Sequence, residues 1–174
     1  MKKLFVSFVA IAAIAVMSGR VNAQADVNTT AGANIITPIS LTQTSELHFG
    51  SLSVSAESGG TCILSTGNVR SNTGSVNLSN AGTAHRTAAY NVNGSANAAY
   101  VITLPGTITV NHSGGETMTV SDIKAKPASA AEGTAGTLSA GGIDTFTVGG
   151  TLTVGAAQAT GAYTGTFNVT VAYN

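Results

Sequence analysis

Apolar side chains alternate with threonine, serine or asparagine over most of the chain after residue 34. A repeat of two residues places successive side chains on opposite faces of an extended strand, so this pattern predicts half-buried β-strands. Tyr100, Ile102 and Leu104, for example, share one face of such a run. The same pattern recurs in two later pairs, Phe146 with Val148 and Leu152 with Val154.

Dipeptides of glycine with glycine, proline or asparagine separate the apolar runs, and they supply the backbone angles that tight turns need. Helical character is confined to residues 127–133, which are enough for little more than one turn. About ten short strands at this spacing predict an all-β, antiparallel domain, either a β-sandwich or a partly open barrel. The predicted turns are at Gly59-Gly60, Asn93-Gly94, Pro105-Gly106, Gly114-Gly115, Gly141-Gly142 and Gly149-Gly150.

The first 23 residues have the organisation of a secretory signal peptide. Two lysines precede an apolar stretch over residues 4–17, which is short for a membrane span, and Val21-Asn22-Ala23 offers a cleavage site. A retained membrane anchor fits less well, because polar residues interrupt the stretch before the cleavage site. We therefore expect export, no membrane span after cleavage, an N-terminal extension over residues 24–34 and one domain over residues 35–174.

Composition narrows the classes of function. The chain beyond residue 23 has four basic and seven acidic side chains, so it offers no basic surface for nucleic acid. Only 8% of all residues are charged, which leaves few charges to protect strand edges from pairing with another chain. Cys62 is the only cysteine and lies in an apolar run, so a buried hydrophobic role is favoured over a reactive or intermolecular thiol.

Residues suited to catalysis or metal binding are scattered along the chain. The three histidines, His48, His85 and His112, form no closely spaced pair, and the seven carboxylates stand singly. Catalysis and metal binding need such groups to converge, so we predict no enzyme, no metal site and no cofactor.

The last fourteen residues show the clearest alternation, with threonine and asparagine on one face and large apolar side chains on the other. The apolar face consists of Tyr163, Phe167, Val169, Val171 and Tyr173. Gly161 lies fourteen residues from the end and Tyr173 is the penultimate residue, and in both respects this ending resembles the C-terminal strand of chaperone-usher pilins.

A second resemblance lies near the start of the domain, where Leu47, Phe49 and Gly50 are similar to the L-x-F-G signature of pilin-type and spore-coat-type secreted domains. The chain as a whole also resembles an uncharacterised family of secreted bacterial domains. Its matching features are a Gly-Gly-Thr entry into a strand at residues 59–61 and a Gly-x-Tyr-x-Gly-x-Phe ending at residues 161–167.

The pilin resemblance implies an immunoglobulin-like β-sandwich that lacks one strand and leaves an apolar groove, which a donor strand from the next subunit fills. It places Gly161 and the apolar face of residues 163–173 at this groove, and it makes residues 24–34 the candidate donor strand. In an extended conformation one face of that donor consists of Val27, Thr29, Ala31 and Ala33, and the next residue, Ile35, continues this face.

The function implied by this resemblance is that of a non-catalytic structural subunit of a bacterial surface fibre or coat. Its implied partners are further copies or other fimbrial subunits, with a periplasmic chaperone and an outer-membrane usher during export. It would be periplasmic in transit and then extracellular, at the cell surface or in a fimbrium. The alternative is a self-contained secreted β-sandwich that binds a ligand, with carbohydrate binding or surface adhesion as its role.

Overall fold

The computed structural model describes residues 24–174, so the predicted signal peptide lies outside the described residues. The chain divides into two units after Asn34. In residues 24–34 no regular secondary structure is present and the side chains are exposed. The second unit, Ile35–Asn174, contains all the strands described below.

Within the described residues the chain forms thirteen β-strands and no helix, and every strand pair is antiparallel. The prediction of an all-β, antiparallel domain is therefore confirmed, whereas residues 128–134 form turns and bends and no helical turn. The strands are β1 (Ser40–Ser45), β2 (Leu52–Val54), β3 (Gly60–Leu64), β4 (Arg70–Gly74), β5 (Val76–Leu78), β6 (Ala88–Asn93), β7 (Ala99–Thr103), β8 (Ile108–His112), β9 (Thr117–Pro127), β10 (Ala135–Thr137), β11 (Ile143–Val154), β12 (Tyr163–Thr164) and β13 (Thr170–Tyr173).

The largest sheet has eight strands and is built around β11. The first half of β11 pairs with β6 and its second half with β3, while β9 pairs along both halves on the other side. β1 lies beyond β6, β4 lies beyond β3, and β8 and β12 follow β9. Two smaller sheets complete the domain, one with the order β10-β7-β13 and one formed by β2 and β5.

The Gly149-Gly150 pair lies in the middle of β11, so the turn predicted there is wrong. A Cβ atom on Gly149 would be 2.3 Å from the carbonyl oxygen of Leu64, which shows that glycine is needed for a close backbone approach. β9 has a bulge opposite this point, and Asp122 in the bulge has a φ of 47°. Gly60 was also assigned to a turn, but it is the first residue of β3.

One face of the largest sheet carries two hydrophobic clusters. In the first cluster, Tyr100 and Ile102 of β7 pack with Phe146 of β11 and with buried residues of β6. In the second cluster, side chains of β2 and β5 pack with the distal half of β11 and with β3, β8 and β9. Ile123 and Phe167 contact both clusters, so they join the two parts of the core.

Candidate functional site

The C-terminal segment forms two short strands, so the single continuous strand predicted there is wrong. β12 pairs with β8 in the largest sheet, β13 pairs with β7 in the three-stranded sheet, and residues 165–169 between them belong to no strand. A Cβ atom on Gly165 would be 2.4 Å from the carbonyl oxygen of Thr109, so the chain passes very close to β8 as it leaves that sheet. Burial still alternates from Phe167 to Tyr173, with the apolar residues partly covered and their neighbours exposed.

The start of this segment is anchored on β8. The Tyr163 ring stacks on His112 with 5.1 Å between the ring centroids. The Tyr163 hydroxyl donates to the carbonyl of Ala159 at 2.9 Å. His112 Nδ1 lies 2.9 Å from a carboxylate oxygen of Glu116, and this hydrogen bond lowers the pKa of Glu116. Gly161 also lies here, where a Cβ atom would be 2.3 Å from His112 Nε2.

The end of the segment is anchored at the start of β1. The Tyr173 hydroxyl donates to the carbonyl of Thr37 at 2.7 Å and accepts from the backbone N–H of Ser95 at 2.6 Å. Gly94 leaves room for this contact, because a Cβ atom there would be 2.2 Å from the hydroxyl oxygen. The penultimate tyrosine therefore links the last strand to the chain that enters the first strand.

A cleft of about 470 Å³ lies between β1 and residues 165–169. β1 is an outer strand of the largest sheet and β13 is an outer strand of the three-stranded sheet, so in the described structure each pairs with one neighbour. The apolar part of the cleft comes from both sides and from the core beneath. It consists of Leu41, Leu47, Tyr90, Phe167 and Val169.

The core is incompletely covered at this cleft. Gln43 lies opposite Tyr90 in the register of β1 and β6, on the same face of β1 as Leu41. Leu41 is partly buried, but Gln43 is exposed although its face is directed towards the core. Tyr90 itself is buried and stacks on Phe146 with 4.9 Å between the ring centroids.

The residues of the L-x-F-G signature connect the two clusters. Leu47 packs against the first cluster and also lines the cleft, and Phe49 packs against the second cluster. Gly50 has a φ of 77°, and a Cβ atom there would be 2.5 Å from Nη1 of Arg70. That nitrogen donates to the carbonyl of Phe49 at 2.9 Å. The signature thus combines two packing positions with a glycine that a side chain would disturb.

Of the residues predicted to line a groove, Phe167 and Val169 lie at the cleft, and Val171 and Tyr173 pack against the first cluster beyond it. Gly161 and Tyr163 lie at the other end of the segment, beside His112. Four further residues line the cleft without any signal in the sequence pattern, namely Leu41, Gln43, Glu46 and Tyr90. Leu47 was identified from its motif, but its position at the cleft was not.

The predicted donor residues are exposed in the structure. Val27 is 86% exposed and Ile35 is 97% exposed. Thr29, Ala31 and Ala33 are exposed as well, and these residues belong to no strand. Each keeps its position in the sequence alternation, so an extended conformation would place all five on one face.

Within residues 24–174 no group of three or more histidine, cysteine, aspartate or glutamate side chains is arranged to hold a metal ion. Cys62 is buried and free, and burial raises the pKa of its thiol. In the same range no helix is long and apolar enough to cross a membrane.

A second cleft, of about 300 Å³, lies beside Gly149 and Gly150. Lys124 and Glu132 form an ion pair there at 3.5 Å, and the Thr66 hydroxyl donates to Glu132 at 3.0 Å. These polar groups are therefore paired with one another. The cleft between β1 and residues 165–169 differs from it, because the unpaired edge of β1 borders it and the core residue Tyr90 lines it.

The fold and the cleft define an antiparallel all-β protein with an open edge beside its final strand. The chain belongs to the family described as Domain of unknown function (DUF4402), which matches residues 39–173 and so includes all thirteen strands. The resemblance to an uncharacterised domain family is thereby confirmed. No match was found among curated proteins or among solved structures.

Proposed function

We propose that this protein is an exported, non-catalytic structural subunit of a bacterial surface fibre or coat, and that it assembles by β-strand addition. In this proposal the domain is an immunoglobulin-like, pilin-like sandwich with an open position between its first and last strands. The observation that carries the proposal is the cleft between β1 and residues 165–169, with its apolar floor and the unpaired edge of β1.

The cleft has the two features that strand addition requires. Unpaired N–H and C=O groups on an edge strand offer main-chain hydrogen bonds to an incoming strand. Leu41, Phe167 and Val169 are only partly buried and line the cleft, so they offer apolar contacts for alternate side chains of that strand. The few charges of the chain do little to prevent such pairing, apart from Glu46 at the cleft and its ion pair with Arg86.

Residues 24–34, together with Ile35, are the proposed donor. They contribute to no strand of the described structure, and the family match begins after them, at residue 39. Val27 and Ile35 are large, exposed apolar residues on the same face of an extended segment. The residues between them on that face are Thr29, Ala31 and Ala33. Because a donor on one copy would enter the cleft of another, the contact is head-to-tail and extends into a fibre.

The proposed partners follow from the same site. Other copies of this chain or other fimbrial subunits would supply the donor strand in the fibre. A periplasmic chaperone would cover the cleft before assembly, and an outer-membrane usher would pass the subunits outward. The predicted signal peptide supports this route, since it directs the chain across the inner membrane.

The test is to delete residues 24–34 and to measure assembly on detergent gels without boiling. The proposal predicts that the full chain gives a ladder of species that collapses on boiling, while the deleted chain gives a monomer. A full chain carrying Val27→Asp and Ile35→Asp should also lose the ladder. The matched control carries Asn28→Asp and Asn34→Asp, which add the same charges to the opposite face of the extended donor. This control should keep the ladder.

Two results would contradict the proposal. Unchanged ladders in the deletion would exclude residues 24–34 as the donor. A monomeric full chain, purified after export and with no ladder at any concentration, would instead favour the self-contained secreted domain.

A further inference from the structure

We infer that the Tyr173 hydroxyl latches one end of the cleft shut and thereby limits how far a donor strand can insert. This inference rests on the proposed function, because it describes how the same site is regulated. It comes from the contact between Tyr173 of β13 and Thr37, which precedes β1, and this contact ties the two sides of the cleft together at one end.

β1 and the C-terminal segment run in opposite directions along the cleft. β1 leads away from Thr37 towards Leu47, whereas the C-terminal segment leads from Gly165 towards Tyr173. Thr37 and Tyr173 are in contact at 2.7 Å, and we call this the closed end. Leu47 and Gly165 line the cleft away from that contact, and we call this the open end.

The closed end is held by hydrogen bonds and not by a β-ladder. β1 and β13 lie close together, but they belong to different sheets and do not pair with each other in the described structure. The Tyr173 hydroxyl holds the carbonyl of Thr37 on one side and the N–H of Ser95 on the other. Ser95 in turn accepts a hydrogen bond from the N–H of Thr37 at 2.9 Å. One side chain thus connects the start of β1, the loop after β6 and the C-terminus.

This geometry limits an incoming strand. At the open end it can lie along residues 165–169, which at about 3.3 Å per residue gives a length of roughly 17 Å. To pair further along β1 it would have to displace the Tyr173 hydroxyl from Thr37. Two neutral hydrogen bonds in a folded protein together change an equilibrium by about tenfold. The latch is therefore strong enough to slow insertion and weak enough to open.

The test uses the chain without residues 24–34, which keeps all thirteen strands and leaves its cleft free of a donor, and a fluorescent synthetic peptide of residues 24–36, with uptake followed by polarisation. Tyr173→Phe keeps the ring and removes the hydroxyl, and it should speed uptake about tenfold. Gly94→Ala should act in the same direction, because its Cβ atom would be 2.2 Å from the Tyr173 hydroxyl oxygen. Tyr163→Phe is the control, since it removes a tyrosine hydroxyl at the other end of the C-terminal segment, beside His112, and should not speed uptake.

Each outcome distinguishes the latch from the proposed function. Faster uptake by the Tyr173 and Gly94 variants, with Tyr163→Phe unchanged, supports the latch, as does uptake that occurs only in those two variants. Equal uptake by wild type and Tyr173→Phe would overturn the latch and leave strand addition standing. No uptake by any variant would overturn both. Thermal unfolding of each variant, measured in parallel, separates the latch from a general loss of stability.

Discussion

Tyr100 donates its hydroxyl hydrogen to the Asp144 carboxylate at 2.8 Å, and both residues are buried. The Ser129 hydroxyl and the backbone N–H of Thr145 also donate to this carboxylate. Tyr100 belongs to β7 and Asp144 to β11, so the contact joins the three-stranded sheet to the largest sheet. Because β13 pairs with β7, this contact also helps to position the last strand.

Removing the Tyr100 hydroxyl should destabilise the domain. Tyr100→Phe leaves a buried carboxylate with one donor fewer, and the expected loss in the free energy of unfolding is about 1–3 kcal/mol. Urea denaturation followed by circular dichroism measures this loss. Thr73→Val, which removes an exposed hydroxyl–hydroxyl hydrogen bond to Thr61, is the comparison and should cost about 0.5 kcal/mol or less. Equal losses in the free energy of unfolding would show that the buried hydrogen bond stabilises the domain no more than an exposed one.

Alkaline pH should reduce the stability of the domain. Burial raises the pKa of Tyr100, and the hydrogen bond and negative charge of Asp144 raise it further, while burial alone raises the pKa of Tyr90. Both tyrosines are neutral in the folded and unfolded states below about pH 10, the ordinary tyrosine pKa, so their contribution is complete there. Above that pH the unfolded chain loses protons that the folded chain keeps, and unfolding becomes more favourable.

The measurement is the thermal midpoint between pH 8 and pH 12. The wild-type midpoint should hold to about pH 10 and then fall. Tyr100→Phe should start lower and fall less steeply, because one of the two tyrosines has been removed. A Tyr100→Phe curve parallel to the wild-type curve would contradict the assignment of alkaline sensitivity to this residue.

Phe167 should matter for stability as well as for assembly, because it contacts both hydrophobic clusters. Replacing a fully buried phenylalanine with alanine lowers the free energy of unfolding by about 3–5 kcal/mol. Phe167 is only partly buried, so a smaller loss is expected. We expect Phe167→Ala to lower the free energy of unfolding by about 2 kcal/mol. Asn168→Ala, at the exposed neighbouring position, should change it by less than about 0.5 kcal/mol in the same urea titration. If Phe167→Ala also lowered the free energy of unfolding by less than about 0.5 kcal/mol, the two clusters would not depend on Phe167.

Gly149 should not tolerate a side chain. Its Cβ atom would be 2.3 Å from the Leu64 carbonyl, which is backbone and cannot rotate away. Gly149→Ala should therefore destabilise the domain by about 2 kcal/mol, as overpacking does elsewhere. At Gly106 nothing lies within 4 Å of the added atom, so Gly106→Ala serves as the control and should be nearly neutral. Comparable thermal midpoints for the two variants would contradict this account of β11.

The alternation of side chains made the strands predictable, since period-two patterns depend only on local sequence. Tyr100 and Ile102, Phe146 and Val148 are buried as the pattern indicates. The glycine pairs were harder to interpret, because glycine serves equally in a turn and at a close approach of two backbones. Gly142 has the positive φ of a turn residue, whereas Gly149 faces a carbonyl from a distant part of the chain.

The cleft could be predicted only in part. The apolar face of residues 163–173 indicated a surface that needs a cover, and Phe167 and Val169 do lie at the cleft. Tyr90 and Gln43 could not be assigned to it, because their place there depends on the register between β1 and β6. The division of the C-terminal segment between two sheets was equally hidden, since it depends on how close Gly165 comes to β8.

The central claim is that one copy donates residues 24–35 to the cleft of another, and a mixture of two complementary variants tests it most directly. The first variant lacks residues 24–34 and keeps its cleft. The second keeps the donor and carries Val169→Asp, which places a charge in the cleft. Thr170→Asp, at the exposed neighbouring position, is the control for the added charge and should still assemble as the wild type does.

Light scattering coupled to size-exclusion chromatography gives the molar mass of each variant alone and of the mixture. Each variant alone should be a monomer, and the mixture should give a one-to-one dimer, because a single donor meets a single open cleft. A mixture that stays monomeric while the wild-type chain forms long assemblies would contradict the central claim.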